Sequence, residues 1–302
     1  MEPGESLIVT PGAVLGLFYL QRYRFLTITQ VARVTGLSYH HTADLLRGFA
    51  ARGHVGHFGH VRIPGHGKTP KAYYLKRKGW ELLRRASDIP EELIGAFSEA
   101  HREETWSPQM YHRLRLLDLL IALEVQVRER PQLNLVKTLL EYRRVKRQGR
   151  IARETTDFVA AEEIPENRII PDAAFVLENV ETQRRGLFFI EMDMATERIV
   201  TQISHDRRLT LHFKFEQYDR YLQSRRFAQT YAAYGAFRNF TMLFVTFGQD
   251  RIANIRRALT DLPAELHPFY RFATFEEAQA DFLGPIWLSR SLEDTSRYRL
   301  VR

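Results

Sequence analysis

The chain contains no cysteine, which excludes disulfides, cysteine-bound zinc, iron–sulfur clusters and thiol catalysis together. It has no apolar run near the roughly 18 residues that a membrane helix needs, and no apolar stretch follows a basic start at its beginning. The expectation is a soluble, unexported, cytoplasmic protein. Histidine is thin beyond residue 88, where His101, His112, His205, His212 and His267 are scattered without ligand spacing. No histidine-cluster metal site is expected there.

What is present is a long, core-forming and unevenly charged chain. Its 302 residues, 44% of them hydrophobic and 12% aromatic, suggest two domains with real cores, on a prior of about 150 residues each. The net charge of +8 lies wholly in residues 1–88, which carry 13 Lys/Arg against 5 Asp/Glu. The remainder carries 31 of each sign. A basic module joined to a neutral one points to a polyanion partner for the first.

Within residues 1–90, "PGAVLGLFYLQRYR" has helical apolar spacing with proline near its start. "TITQVARVTGLS" offers Thr27 or Thr29 as a cap and Gly36 as a left-handed stop. A second helix is expected from Ser38 to about Arg52, with Leu45, Leu46, Phe49 and Ala50 inward and Gly53 ending it. Two short helices about a glycine turn read as helix-turn-helix. A strand ("HVGHFGHVRI"), a basic glycine-rich tip ("PGHGKTPK") and a returning strand running into a helix ("AYYLKRKGWELL") follow. This order resembles the winged-helix DNA-binding domain. The resemblance implies that the second helix enters a major groove, with Tyr39, His40, His41 and Asp44 near base edges and Arg47 at phosphate. The tip residues Arg62, His66, Lys68 and Lys71 would lie over the backbone or minor groove.

Residues 91–131 read as a helical connector ended by Pro131, equally suited to linking two domains or to making a homodimer. From 132 to 302 strands and helices alternate, as in a mixed α/β sheet. "NRIIPDAAFVLE" and "RRGLFFIEMDM" read as two strands joined by the short turn "NVETQR", an antiparallel hairpin. Residues 196–231 read as mostly helical, "RNFTMLFVTF" as a buried strand, and "YRFATFEEA" as one that starts as a strand. The hairpin brings Asp172 near Glu191, and Glu191 and Asp193 share a strand face. Either these carboxylates hold a cation, or they are strand-end charges facing water.

"P-D", a hairpin, then "E-x-[D/K]" and a helix resembles the PD-(D/E)XK nuclease superfamily. More narrowly, a winged helix followed by "IIPDAAFVLE…RGLFFIEMDMATE…KFEQYDRYL" looks like the plasmid replication-relaxation family over most of the chain. The resemblance implies a restriction-endonuclease-like mixed sheet flanked by helices, acting in plasmid replication, relaxation or mobilisation. It implies Mg²⁺ or Mn²⁺ held by Asp172, Glu191 and Asp193, with Glu141 as a further ligand. Where active relatives carry lysine, this chain has Asp193, so the positive charge would come from the next helix, from Lys214 or Arg198. Two activities stay open: a metal-dependent DNA nickase or endonuclease, and a non-catalytic initiator or regulator with a degenerate nuclease fold. Partners would be double-stranded DNA, a second copy of the chain and other plasmid replication or mobilisation proteins.

Overall fold

A computed structural model describes residues 10–60, 62–63, 67–97, 108–147, 149–201 and 204–301. The chain divides into two compact units, Met1–Ile121 and Ala122–Arg302.

In the first unit Thr10 caps α1 (Pro11–Tyr23), and the three-residue strand β1 (Phe25–Thr27) follows. Thr27 then caps α2 (Ile28–Thr35) in a reciprocal box with Gln30, so two free N–H groups of the first turn are satisfied at once. The Gln30 amide also donates to the Leu114 carbonyl and to Asp118, at 2.8 Å each. Gly36, at φ 77°, ends α2 in the left-handed region that favours glycine. Ser38 caps α3 (Tyr39–Ala51) through the His41 N–H. α3 buries Thr42, Leu46 and Phe49; Leu45 and Ala50 are only half-buried. Then come β2 (Val55–Phe58), the two-residue strands β3 (Arg62–Ile63) and β4 (Gly67–Lys68), and β5 (Ala72–Leu75). The first sheet has the order β1-β5-β2, and β3–β4 is a separate antiparallel hairpin between β2 and β5 in sequence. α4 (Arg77–Ala86), α5 (Glu91–Ile94) and the long α6 (Pro108–Arg128) complete the unit. The division between units falls inside α6, between Ile121 and Ala122.

The second unit continues with β6 (Leu133–Leu140), β7 (Arg144–Arg147), β8 (Arg150–Arg153), β9 (Asp157–Phe158), β10 (Arg168–Ile169), β11 (Ala173–Asn179) and β12 (Arg184–Met192). After a 3-10 turn come α7 (Leu211–Ser224), α8 (Phe227–Thr230), β13 (Thr241–Thr246), α9 (Gln249–Ala258), β14 (Tyr270–Thr274), α10 (Phe275–Ala280) and β15 (Leu288–Ser289). Six strands form one mixed sheet in the order β15-β14-β13-β12-β11-β6. The β6–β11 and β11–β12 pairs are antiparallel, whereas β12–β13 and β13–β14 are parallel, with α7 and α9 in the crossovers. Asn179 Oδ1 accepts the Glu181 and Thr182 N–H groups and shapes the β11–β12 turn.

Alternation along the strands gives the sheet two apolar faces. On one, Phe189, Phe240, Phe244 and Phe272 pack against Phe215, Tyr218 and Tyr221 of α7 and against Ile252 and Ile255 of α9. On the other, Phe175 stacks on Phe188 at 4.8 Å and meets Phe282 edge-on. The helix expected over 196–231 forms only from Leu211. Before it, Arg198 bridges Thr210, and its carbonyl accepts from Leu211 N–H, so that segment is spent positioning the start of α7.

Candidate functional site

Register places the acids. Ala173 pairs with Leu140 on one side and with Ile190 on the other. One step along, Asp172 therefore lies between Glu141 and Glu191, and the Asp172 carbonyl accepts from Glu141 N–H at 3.1 Å. Leu139, Ala174 and Phe189 all belong to the core under α7. Alternation therefore turns Glu141, Asp172 and Glu191 to that same face. Three carboxylates thus form one row across three neighbouring strands, and Glu141 and Glu191 are buried.

Each member of the row has protein partners. Asp172 Oδ2 accepts the Met192 N–H at 2.8 Å, which fixes its side chain against the β12 end. Arg153 bonds Glu141 at 2.9 Å. Tyr218 O–H donates to Glu191 Oε1 in a short hydrogen bond. Lys214 donates to Glu191 Oε2 at 3.3 Å and to Glu197 at 3.2 Å. Burial, together with the neighbouring Asp172 and Glu197, pushes Glu191 up to about 7, against the pull of Lys214 and Tyr218. Burial alone would lower the Lys214 ammonium, but Glu191, Glu197 and Asp172 outweigh it and hold it above the ordinary lysine value. Burial and Glu191 likewise raise the Tyr218 phenol, which stays protonated as a donor.

Asp193 stands apart from the row. Its carboxylate is buried and receives Arg251 Nε at 3.0 Å, Thr246 Oγ1 at 2.7 Å and the Ala195 N–H at 3.0 Å. Ala195 has φ 59°, so the chain leaves β12 through a left-handed non-glycine residue held by Asp193. Arg251 also reaches the Glu197 carbonyl at 2.5 Å. The cation beside the "E-x-D" motif thus comes twice, from Lys214 on α7 and from Arg251 on α9. Lys214 was expected; Arg251 was not, and nothing local in "GQDRIANIRR" marks it. Tyr221, three residues beyond Tyr218 on α7, is fully buried and donates to Asp157, away from the row.

As donors for an ion the row is chemically apt: its oxygens are all hard, and Mg²⁺ needs only one or two carboxylates because it keeps several waters. Glu191 is raised first by burial and then by Asp172 and Glu197, even with Lys214 in place. As arranged, no three His, Asp or Glu side chains among the described residues converge to hold an ion.

In the first unit the outward face of α3 carries Tyr39, His40, His41, Asp44 and Arg47, all exposed. Arg47 and Asp44 pair at 2.7 Å, so part of the Arg47 charge is already spent within the helix. Lys68 is exposed at the β3–β4 hairpin, where its backbone pairs with Arg62, and Lys71 is half-buried beyond it. His66 lies outside the described residues. His57 packs edge-on to Tyr73, and His60 bonds the Thr69 carbonyl at 2.6 Å, so both serve the sheet.

Taken together, the chain is a mixed α/β protein that pairs a basic helix-and-hairpin unit with a sheet bearing a buried carboxylate row. The family model for replication-relaxation matches residues 17–236, and the chain belongs to that family. Membership implies a role in replication or relaxation of plasmid or mobile-element DNA, and with it interaction with DNA. No described helix is long and apolar enough to cross a membrane. Comparison with curated proteins and with solved structures gives no match.

Proposed function

We propose that the first unit is a winged helix that grips duplex DNA and that the carboxylate row is a phosphodiester-cleaving site, making the chain a DNA nickase or endonuclease. The observation that carries the second half is the row itself, with an ammonium set against it. Strand-end charges facing water would be exposed, whereas Glu191 is buried beside Lys214 and Glu141 is buried beside Arg153. Asp172 and Glu191 would hold Mg²⁺ or Mn²⁺, with Glu141 joining them once its side chain leaves Arg153, and the ion would polarise a phosphate oxygen and lower the pKa of an attacking water. The chain's own groups have separable tasks. Tyr218 orients Glu191, Lys214 supplies positive charge where a pentavalent phosphate would accumulate negative charge, and Arg251 neutralises Asp193 at the strand end.

The test is supercoiled plasmid DNA with Mg²⁺ or Mn²⁺. The wild type is expected to convert it to open circles, and Asp172→Ala and Glu191→Ala to lower the rate at least 100-fold, with Lys214→Ala close behind. A wild type that leaves cognate plasmid intact in both metals would sink the enzyme reading. One observation favours the second reading, a non-catalytic replication initiator or regulator: both Glu191 oxygens are already engaged by Tyr218 and Lys214.

For the first unit, Lys68→Ala with Lys71→Ala is expected to weaken duplex binding and to flatten the dependence of log K on log salt by about 1 to 2. An unchanged slope would remove the β3–β4 hairpin from the interface.

A further inference from the structure

The neutral total of residues 89–302 hides a local excess. Residues 142–153, "YRRVKRQGRIAR", hold six basic residues and no acid. They form the ribbon β7–β8, a separate two-stranded sheet among the described residues. The register sets Arg144 opposite Arg153 and Arg147 opposite Arg150. Like charges facing across a strand pair are destabilising. Arg153 is relieved by Glu141, but Arg144 and Arg150 are exposed with no carboxylate within 4 Å among the described residues.

Beside the ribbon opens a cleft of about 730 Å³ lined by Arg144, Arg150, Arg153, Arg168 and Arg226, with Glu163 as an exposed acid. Asp157, also in its wall, is already held by the Tyr221 hydroxyl and the Phe158 N–H. Arg226 is turned to the Phe158 carbonyl, whereas Arg168 is exposed and carries no such tie. Ile151, also in the cleft wall, is 74% exposed on the ribbon. Arg153 lines the cleft and bonds Glu141, so the cleft adjoins the carboxylate row.

We propose that the β7–β8 ribbon and this cleft are a second DNA-binding surface, built to hold the phosphate backbone of duplex DNA next to the row. A two-stranded ribbon fits a major groove. Three guanidiniums without protein partners among the described residues match phosphates on a duplex better than any neutral ligand. The proposal rests on the DNA interaction of the family and holds whether or not the row cuts.

The experiment uses the full chain and fluorescence anisotropy on a labelled duplex over a salt series. Arg144→Ala/Arg150→Ala/Arg168→Ala is expected to reduce the slope of log K against log salt by about 2 to 3 and to cost at least 10-fold in affinity at low salt. The matching triple lysine variant should restore most of both, because phosphate contact needs charge rather than the guanidinium shape. Lys68→Ala/Lys71→Ala, measured beside it, reports the first unit alone, and its loss should add to that of the arginine variant. Unchanged slope and affinity in the arginine variant, with the lysine pair still showing its loss, would overturn the ribbon and leave the winged-helix reading standing. Tighter binding to a double-stranded RNA of the same sequence would overturn it also. Circular dichroism checks folding; should the triple variant melt early, Arg150→Ala alone is expected to lower the slope by about 1, and no change would overturn the surface.

Discussion

Arg251→Met is expected to cost about 3 kcal/mol of stability. The guanidinium is one-fifth exposed, but the Asp193 side chain it neutralises is fully buried. The substitution keeps most of the aliphatic stem and removes the charge. Asp193 is left with only the Thr246 hydroxyl and the Ala195 N–H as donors. Breaking one side of a buried pair leaves a charge in low dielectric, which is costlier than deleting the pair. Asp193→Asn should therefore cost less, about 1 kcal/mol, because Arg251 keeps the Glu197 carbonyl and some water. The double variant should be more stable than the sum of the two losses predicts. Urea unfolding followed by the fluorescence of the buried Trp287 reads all three. Strictly additive losses would mean that the two side chains do not interact. The same variants separate roles for Asp193: a structural anchor moves stability, whereas a metal ligand would move metal dependence with stability intact.

The second large effect is a pH dependence centred on Glu191, which is pushed up to about 7 by burial and by its acidic neighbours. Between about pH 4.5 and 7 the folded chain keeps a proton on Glu191 that the unfolded chain has lost, so stability falls as pH rises through that window. Below about 4.5 both states are protonated and the contribution is complete; above about 7 both are ionised and it is gone. A shift of this size corresponds to about 3 kcal/mol. Glu191→Gln should abolish most of the slope and be more stable than wild type at pH 8. Its Tyr218 and Lys214 neighbours would then face a neutral oxygen or amide, which offsets part of the gain. Stability measured in urea at pH 5 and pH 8 decides. Equal pH dependence in wild type and variant would mean that Glu191 ionises as an exposed carboxylate does.

Much of the row was legible because it depends on short-range rules. Alternation, the short turn "NVETQR" and "P-D" near a strand start suffice to bring Asp172 beside Glu191, and the missing "E-x-K" lysine pointed to Lys214 or Arg198. What failed was anything set by packing between distant segments. Arg251 lies 58 residues from Asp193, on a helix whose cations recur as on any solvated helix. Tyr218 and Tyr221 share the spacing of a surface stripe but are core residues, since aromatic residues at that interval suit a buried face equally well. The basic ribbon escaped because a charge balance taken over residues 89–302 averages six close cations against acids elsewhere. The helix boundaries of the first unit were read closely, since Ser38, Gly36 and Thr27 carry their capping chemistry in their own side chains or φ angles.

The sheet topology also sets an order of events in folding. β11 and β12 meet across a turn of a few residues, whereas β12 and β13 become parallel neighbours only after the whole segment bearing α7 has been laid against the sheet. Local closure is the faster step and long crossovers are the slower one. On that rule Asp172 and Glu191 would meet before Lys214 arrives to balance Glu191. A β11–β12 hairpin formed ahead of α7 would carry uncompensated like charge, which protonation or dissolved cations would relieve until α7 packs against it.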